Sequence, residues 1–214
     1  MTRRSEIAEN LRRVRSEIPD HVTLICVTKT YPISDVEILK ELGQTHFGEN
    51  RTRELAEKAA AVDATWHYQG QIQSNKIKEI ATYADVVHSL DDVAHVRKLD
   101  NALTRSIGAF IQVSLDGASG RGGVLPENLA VLGREIRESR NIELMGLMAV
   151  APLDVDPDSA FATLAAIHRD FLHEFPTATS LSAGMSNDYR QAIAHGATHI
   201  RIGSQILGSR AVLG

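Results

Sequence analysis

The sequence predicts an α/β fold: a single (β/α)8 TIM-type barrel over residues 1–214, with an additional N-terminal helix before the first strand. Three observations carry this. About eight short apolar runs alternate with amphipathic stretches, and strand–helix alternation implies a parallel sheet. The first run, Val22-Thr-Leu-Ile-Cys-Val, is apolar on both faces, as parallel strands covered by helices are. The 214 residues, 43% of them hydrophobic, suit one domain with a substantial core, near the lower length limit of a barrel. An open doubly wound sheet is the structural alternative.

In chain order, the strand candidates are residues 22–29, 45–48, 65–69, 85–89, 108–114, 143–149, 179–182 and 199–202. Ile7, Leu11, Val14 and Ile18 form a helical stripe ahead of the first. Ser34 and Asp35 stand where the next helix would be capped. Val96, Leu99 and Leu103 make another stripe, as do Leu129, Leu132 and Ile136, with Pro126 where a first-turn proline is tolerated. Phe161, Leu164, Ala165 and His168 repeat the spacing. Each stripe is one apolar face, as on a helix lying against a sheet.

Composition excludes several classes. A net charge of -4 argues against nucleic acid or an anionic membrane as the main partner. Arg3, Arg4, Arg12, Arg13 and Arg15 are read as a solvated helix face. The single cysteine, Cys26, excludes an internal disulfide and reads as core filler. The N-terminus has no apolar stretch like a signal peptide, and no run reaches the roughly 18 apolar residues of a membrane span. The cytoplasm is the default location. The nine histidines show no metal-ligand spacing. The glycine-rich stretch 116–123 matches neither a P-loop nor a dinucleotide fingerprint and reads as a mobile loop.

In a barrel, function gathers where strands finish. The first run ends Thr28-Lys29-Thr30. A lysine closing an apolar strand, if it points inward, is desolvated and becomes nucleophilic; the competing reading is a lysine reaching solvent. The second run ends Gly48-Glu49-Asn50, a turn in which Asn50 offers a neutral donor and acceptor. The third leads through His67 and Gln69 into a polar segment, where His67 reads first as a satisfied core histidine. The last two runs lead to Gly184-Met-Ser186 and Arg201-Ile-Gly203-Ser204 at helix starts. Free backbone N–H groups there favour an anion, and the loops after strands seven and eight are the common phosphate site of barrels. Plain N-capping by Ser186 and Ser204 is the simpler reading and is compatible with the first. Asp188 would oppose a phosphate unless it turns to the helix's own N–H groups.

Six blocks in register resemble the pyridoxal phosphate homeostasis proteins, the YggS/PROSC family. They are Val27-Thr-Lys29-Thr, His46-Phe-Gly-Glu-Asn50, His67-Tyr-Gln-Gly70 with Gln73-Ser-Asn75-Lys76, Gly146-Leu-Met148, Leu181-Ser-Ala-Gly184-Met-Ser186-Asn-Asp188, and Arg201-Ile-Gly203-Ser204. The resemblance implies the alanine racemase N-terminal type of barrel, the fold type III of proteins that bind pyridoxal 5'-phosphate (PLP). It implies Lys29 as the Schiff-base lysine. It makes Ser186, Gly203 and Ser204 the phosphate cradle, sets Arg201 against the pyridine nitrogen and places Asn50 beside the ring. Thr28, Gln69, Ala183 and Ser204 depart from the residues more usual in that family; Gln69 and Ala183 bear on pocket polarity and volume.

The resemblance further implies a PLP carrier or regulator in vitamin B6 and amino-acid balance, without robust turnover. Apo PLP-dependent enzymes are its implied recipients, and a monomer is expected. An arginine at the pyridine nitrogen disfavours ring protonation and weakens the ring as an electron sink. The related racemases take a second base, a tyrosine, from a C-terminal β domain that this sequence, ending at Gly214, is expected to lack. The alternative is a PLP-dependent small amino-acid racemase or lyase using Lys29 as base. A third reading is a cofactor-free aldolase-type barrel in which Lys29 forms a Schiff base with a phosphorylated substrate.

Overall fold

The computed structural model describes residues 2–118 and 122–208. Eight parallel strands close into a barrel in sequence order, with the last pairing back to the first. They are β1 (Thr23–Val27), β2 (His46–Glu49), β3 (Thr65–Tyr68), β4 (Val86–Leu90), β5 (Ile107–Gln112), β6 (Ile142–Met148), β7 (Ser180–Met185) and β8 (His199–Ile202). The barrel expectation is met, and the open-sheet alternative falls because β8 and β1 pair over four residues, Thr23–His199 to Cys26–Ile202.

Helices cover the outside: α1 (Arg3–Arg15), α2 (Ile33–Glu41), α3 (Thr52–Ala61), α4 (Ile77–Tyr83), α5 (Val93–Ala102), α6 (Leu129–Glu138), α7 (Pro157–Leu172), α8 (Tyr189–Ala194) and α9 (Ser204–Leu207). The expected stripes face inward. Ile7, Leu11 and Val14 of α1, Leu129, Leu132 and Ile136 of α6, and Phe161 and Leu164 of α7 are all buried. Pro126 opens a 3-10 turn just before α6, where its missing N–H costs nothing.

Two details differ from expectation. Ser34 and Asp35 do not cap α2; the capping position is Pro32, with no side-chain bond to the helix. The Asp35 carboxylate is instead taken by Arg3, Nε to Oδ1 at 3.1 Å and Nη2 to Oδ2 at 2.6 Å. A paired, charge-assisted bond outcompetes a neutral cap. For the same reason the α1 arginines are more than a solvated face. Arg3 also reaches the Leu207 carbonyl, and Arg15 holds the Leu42 carbonyl and the Gln44 amide oxygen, each at 3.0 Å. They tie α1 across α2 and α9.

Of the stretch read as a mobile loop, residues 119–121 lie outside the described residues. Its flank is held: Gly123 N–H donates to Asp91 at 3.0 Å, and Val113 bridges Val124. Among the described residues no helix is long and apolar enough to cross a membrane.

Candidate functional site

The C-terminal ends of β1, β3, β7 and β8 border one cleft of about 470 Å³, closed on its far side by the segment after β6. Five of the six expected site residues line it: Lys29, Ser186, Arg201, Gly203 and Ser204. Asn50 follows β2 directly, is exposed, and is not among the lining residues. Its backbone packs against Gly70, where a Cβ would stand 2.1 Å from the Asn50 carbonyl oxygen.

Lys29 is half-buried at the cleft wall, two residues past the end of β1. The turn that carries it, Thr28 to Tyr31, closes through Tyr31 N–H to the Thr28 carbonyl at 3.0 Å. Thr30 sits at φ 70°, a left-handed conformation that a β-branched residue adopts only under constraint. The constraint is visible. Glu54 of α3 accepts the Thr30 N–H at 2.6 Å. Glu49 accepts the Thr28 hydroxyl at 2.6 Å, and Lys58 donates to the Thr28 carbonyl at 2.7 Å. Lys58 in turn pairs with Glu49 at 2.6 Å and with Glu54 at 3.3 Å. Lys58 and Glu49 are both buried. Burial raises the Glu49 carboxyl above its ordinary range, against the pull of Lys58 and Thr28. Burial also pushes Glu54 up, but the Thr30 amide and Lys58 outweigh it, and the net shift is downward. A buried ion-pair network therefore grips the residues on either side of Lys29. A strand-end lysine is thereby held at a fixed place.

After β7 and β8, the Ser204 hydroxyl donates to the Ser186 hydroxyl at 3.2 Å, and the Gln205 side-chain amide donates to the Ser186 carbonyl. The first hydrogen bonds of α9 are donated by Ile206 and Leu207 to the Gly203 carbonyl. The amides of Ser204 and Gln205 precede them, as orphan donors of a helix start do. Gly203 lies close under this turn: a Cβ there would be 3.0 Å from the Val27 carbonyl oxygen. Asp188 does not bond the helix's own N–H groups with its side chain. It accepts the Met185 N–H at 2.6 Å, in the turn before α8.

Arg201 forms the floor. It is buried, donates to Ser182 at 2.7 Å and to the Ala149 carbonyl at 3.0 Å, and is thereby fixed in direction. Burial pushes its guanidinium down to about 10, with Asp188 opposing. At neutral pH it remains a cation. Gln69, half-buried, lines the cleft beside it, and its Nε2 is a buried donor with no protein partner. Gly48 makes room for this side chain, since a Cβ there would be 2.6 Å from Nε2.

Sequence reasoning found the strand-end residues but missed Glu54 and Lys58, because a lysine on an outer helix looks like an ordinary surface residue. It also missed His88 and Ser182, which lie inside the barrel under Arg201. The only signal was the recurrence of histidine at strand positions 46, 67, 88 and 199.

Residues 3–211 match the family described as alanine racemase, N-terminal domain. A pyridoxal phosphate homeostasis protein of Mycobacterium leprae is 35% identical over 240 residues, covering 96% of this chain and 93% of that one. One from Schizosaccharomyces pombe is 31% identical over 224 residues, covering 96% and 94%. The structure of PipY from Synechococcus elongatus with PLP bound superposes with a TM-score of 0.88 at 35% identity, covering 94% of this chain and all of that one. D-threonine aldolase of Filomicrobium marinum, 16% identical with a TM-score of 0.76, shares the fold across 98% of this chain and 64% of its own. With six motifs in register, a closed barrel and full-length relatives above 30% identity, the chain belongs to the pyridoxal phosphate homeostasis proteins, built on the alanine racemase N-terminal domain.

Proposed function

We propose that the cleft binds PLP through Lys29 as a Schiff base, and that the protein acts as a carrier or regulator of PLP rather than as a turnover enzyme. One observation carries the reading. Lys29 is the single lysine among the lining residues, and the same cleft is lined by the Ser186–Ser204 hydroxyl pair at the start of α9. An amine and a phosphate site in one cavity are what a phosphorylated aldehyde needs. The residues present fit the group: the cavity volume is in the range of small-ligand sites. When bound, PLP supplies an aldehyde that condenses with amines and a ring that withdraws electrons.

In this reading Ser186, Gly203 and Ser204 hold the phosphate and Arg201 meets the pyridine nitrogen, while Asn50, outside the lining, has no part in the pocket. The PLP-bound structure of PipY and the homeostasis names of the relatives support it. The cleft also fits weak catalysis. A cation at the nitrogen keeps a proton off the ring. Of the other titratable lining groups, Tyr31 donates its hydroxyl to the Gly208 carbonyl at 2.7 Å, and Asp188 is engaged by Met185. The segment after β6 contributes Val150, Ala151, Pro152, Leu153 and Val155 to the lining, all apolar. Leu153 is 94% exposed, and Val155 and Met185 are exposed beside it. An apolar, open rim suits delivery to recipient apo-enzymes.

Borohydride reduction of the PLP-incubated protein, followed by peptide mass mapping, tests the linkage. A reduced adduct on Lys29 is expected; an adduct elsewhere, or none, removes the reading. Exchange of amino-acid α-protons in deuterated water at about 1–1000 per second would establish an enzyme instead.

A further inference from the structure

A file of polar side chains runs through the barrel beneath the cleft. Arg201 donates to the Ser182 hydroxyl at 2.7 Å, and Ser182 Oγ lies 2.9 Å from His88 Nδ1. His88 Nε2 lies 2.8 Å from His67 Nδ1, and His67 Nε2 lies 3.0 Å from His46 Nδ1. Ser182, His88 and His67 are 0%, 0% and 1% exposed. His46 is half-buried and lines an open recess at the opposite face, with Thr23, Gln44 and Thr45. The file thus joins the floor of the cleft to solvent on the far side of the barrel.

Its direction follows from one end. Arginine only donates, so Ser182 accepts from Arg201. Ser182 keeps one proton to donate, and among the described residues the remaining partner of its Oγ is His88 Nδ1, so that proton is assigned to His88. With Nδ1 accepting, a neutral His88 carries its proton on Nε2 and donates to His67. His67 passes the same sense on to His46. The reverse sense would aim every N–H dipole at a buried cation. Aligned dipoles also strengthen one another in a low-dielectric interior.

We propose that His88, acting through Ser182, is a positioning residue for Arg201, and that His46, His67 and His88 form a one-directional hydrogen-bond wire of neutral Nε2–H imidazoles linking the cleft to the opposite face.

The surroundings agree. His88 faces His67 from β3, Phe110 from β5, Ser182 from β7, and His199 and Arg201 from β8. Phe110 stacks on its ring at 4.5 Å, fixing its plane. His67 faces His46, His88 and His199. No carboxylate is among these neighbours, so nothing there compensates an imidazolium. Burial first, then the neighbouring imidazoles and, at His88, Arg201, pushes His67 and His88 well below the ordinary 6.5. A proton on either ring would turn both nitrogens into donors, break one link and place a second cation near Arg201.

The positioning role rests on the proposed meeting of Arg201 with the cofactor; the wire does not. Nitrogen-15 NMR of the histidine-labelled full chain, without cofactor, reads the tautomers. Neutral Nε2–H rings at His67 and His88 at pH 7 are expected; an Nδ1–H His88 or an imidazolium overturns the wire. The absorbance of bound PLP reads the role. His88→Leu, with folding checked by circular dichroism, should shift the band's pH profile and weaken PLP retention by up to about tenfold, the scale of one buried hydrogen bond, because Ser182 loses the acceptor that turns its proton away from Arg201. His88→Asn, which returns a polar atom near the Nδ1 position, should restore both. Arg201→Gln runs in parallel. A changed band in that variant with wild-type behaviour in His88→Leu overturns positioning alone. Unchanged bands in both overturn the cofactor role of Arg201, and positioning with it.

Discussion

At the residue scale, the site depends on groups that never enter the cleft. Lys58 is a buried cation whose two carboxylate partners and one carbonyl hold the turn bearing Lys29. Lys58→Met should destabilise the fold by about 3 kcal/mol, because Glu49 is left buried without its cation. Lys58→Met combined with Glu49→Leu should recover most of that, which urea unfolding of the two variants measures. If the double variant is as unstable as the single one, the charge account is wrong. After β7 and β8, Ser186→Ala with Ser204→Ala should lower PLP retention after dialysis about tenfold through lost charge-assisted bonds, leaving stability nearly unchanged. Lys29, Ser186 and Arg201 were legible in the sequence because strand ends in a barrel are functional by topology. Lys58, Glu54 and the strained Thr30 were not, since a network across β1, β2 and α3 leaves no local spacing to read.

At the scale of elements, β7 shows how a local pattern misleads. The sequence suggests a strand ending at residue 182, with Gly184 and Ser186 at the start of the next helix. The strand runs to Met185, with a register shift against β8 between Ser182 and Met185. Gly184 makes this possible: its φ is 88°, and a Cβ would stand 2.7 Å from the Ala192 Cβ and 2.8 Å from the Tyr189 Cα. The glycine lets α8 pack down against β7 and aims Ser186 at the cleft. Gly184→Ala should cost about 2–4 kcal/mol from left-handed strain and overpacking together. A thermal midpoint equal to that of the parent would show that β7 and α8 can separate without loss. The short α2 teaches a similar lesson: its capping residues were misread because Arg3, 32 residues away from Asp35, competes for the carboxylate.

At the scale of the whole molecule, the barrel interior buries a file of histidines beside Phe110, and burial disfavours their charged form. Burial pushes His67 and His88 well below 6.5 and His199 down to about 4. On unfolding each returns to about 6.5. Between those values the unfolded chain binds more protons than the folded one. Stability is therefore full above pH 6.5 and is lost as the pH falls toward the folded-state values. Each such histidine contributes a slope of at most about 1.4 kcal/mol per pH unit. Urea unfolding of the whole chain at pH 7.5 and 5.5 should show a drop, and His88→Leu should flatten it by about one histidine's share. Equal stability at both values would mean the interior rings titrate normally.

The barrel, its strand positions to within a few residues, the lysine at the end of β1 and the helix starts after β7 and β8 are legible from residue order. They follow from local periodicity and from where strands stop, which neighbouring residues encode. That Asn50 stands outside the cleft lining, that Lys58 and Glu49 grip the Lys29 turn, and that three histidines line up beneath Arg201 emerges once the chain is folded. Those facts depend on which side chains meet after the barrel closes, and closure joins residues far apart in the chain.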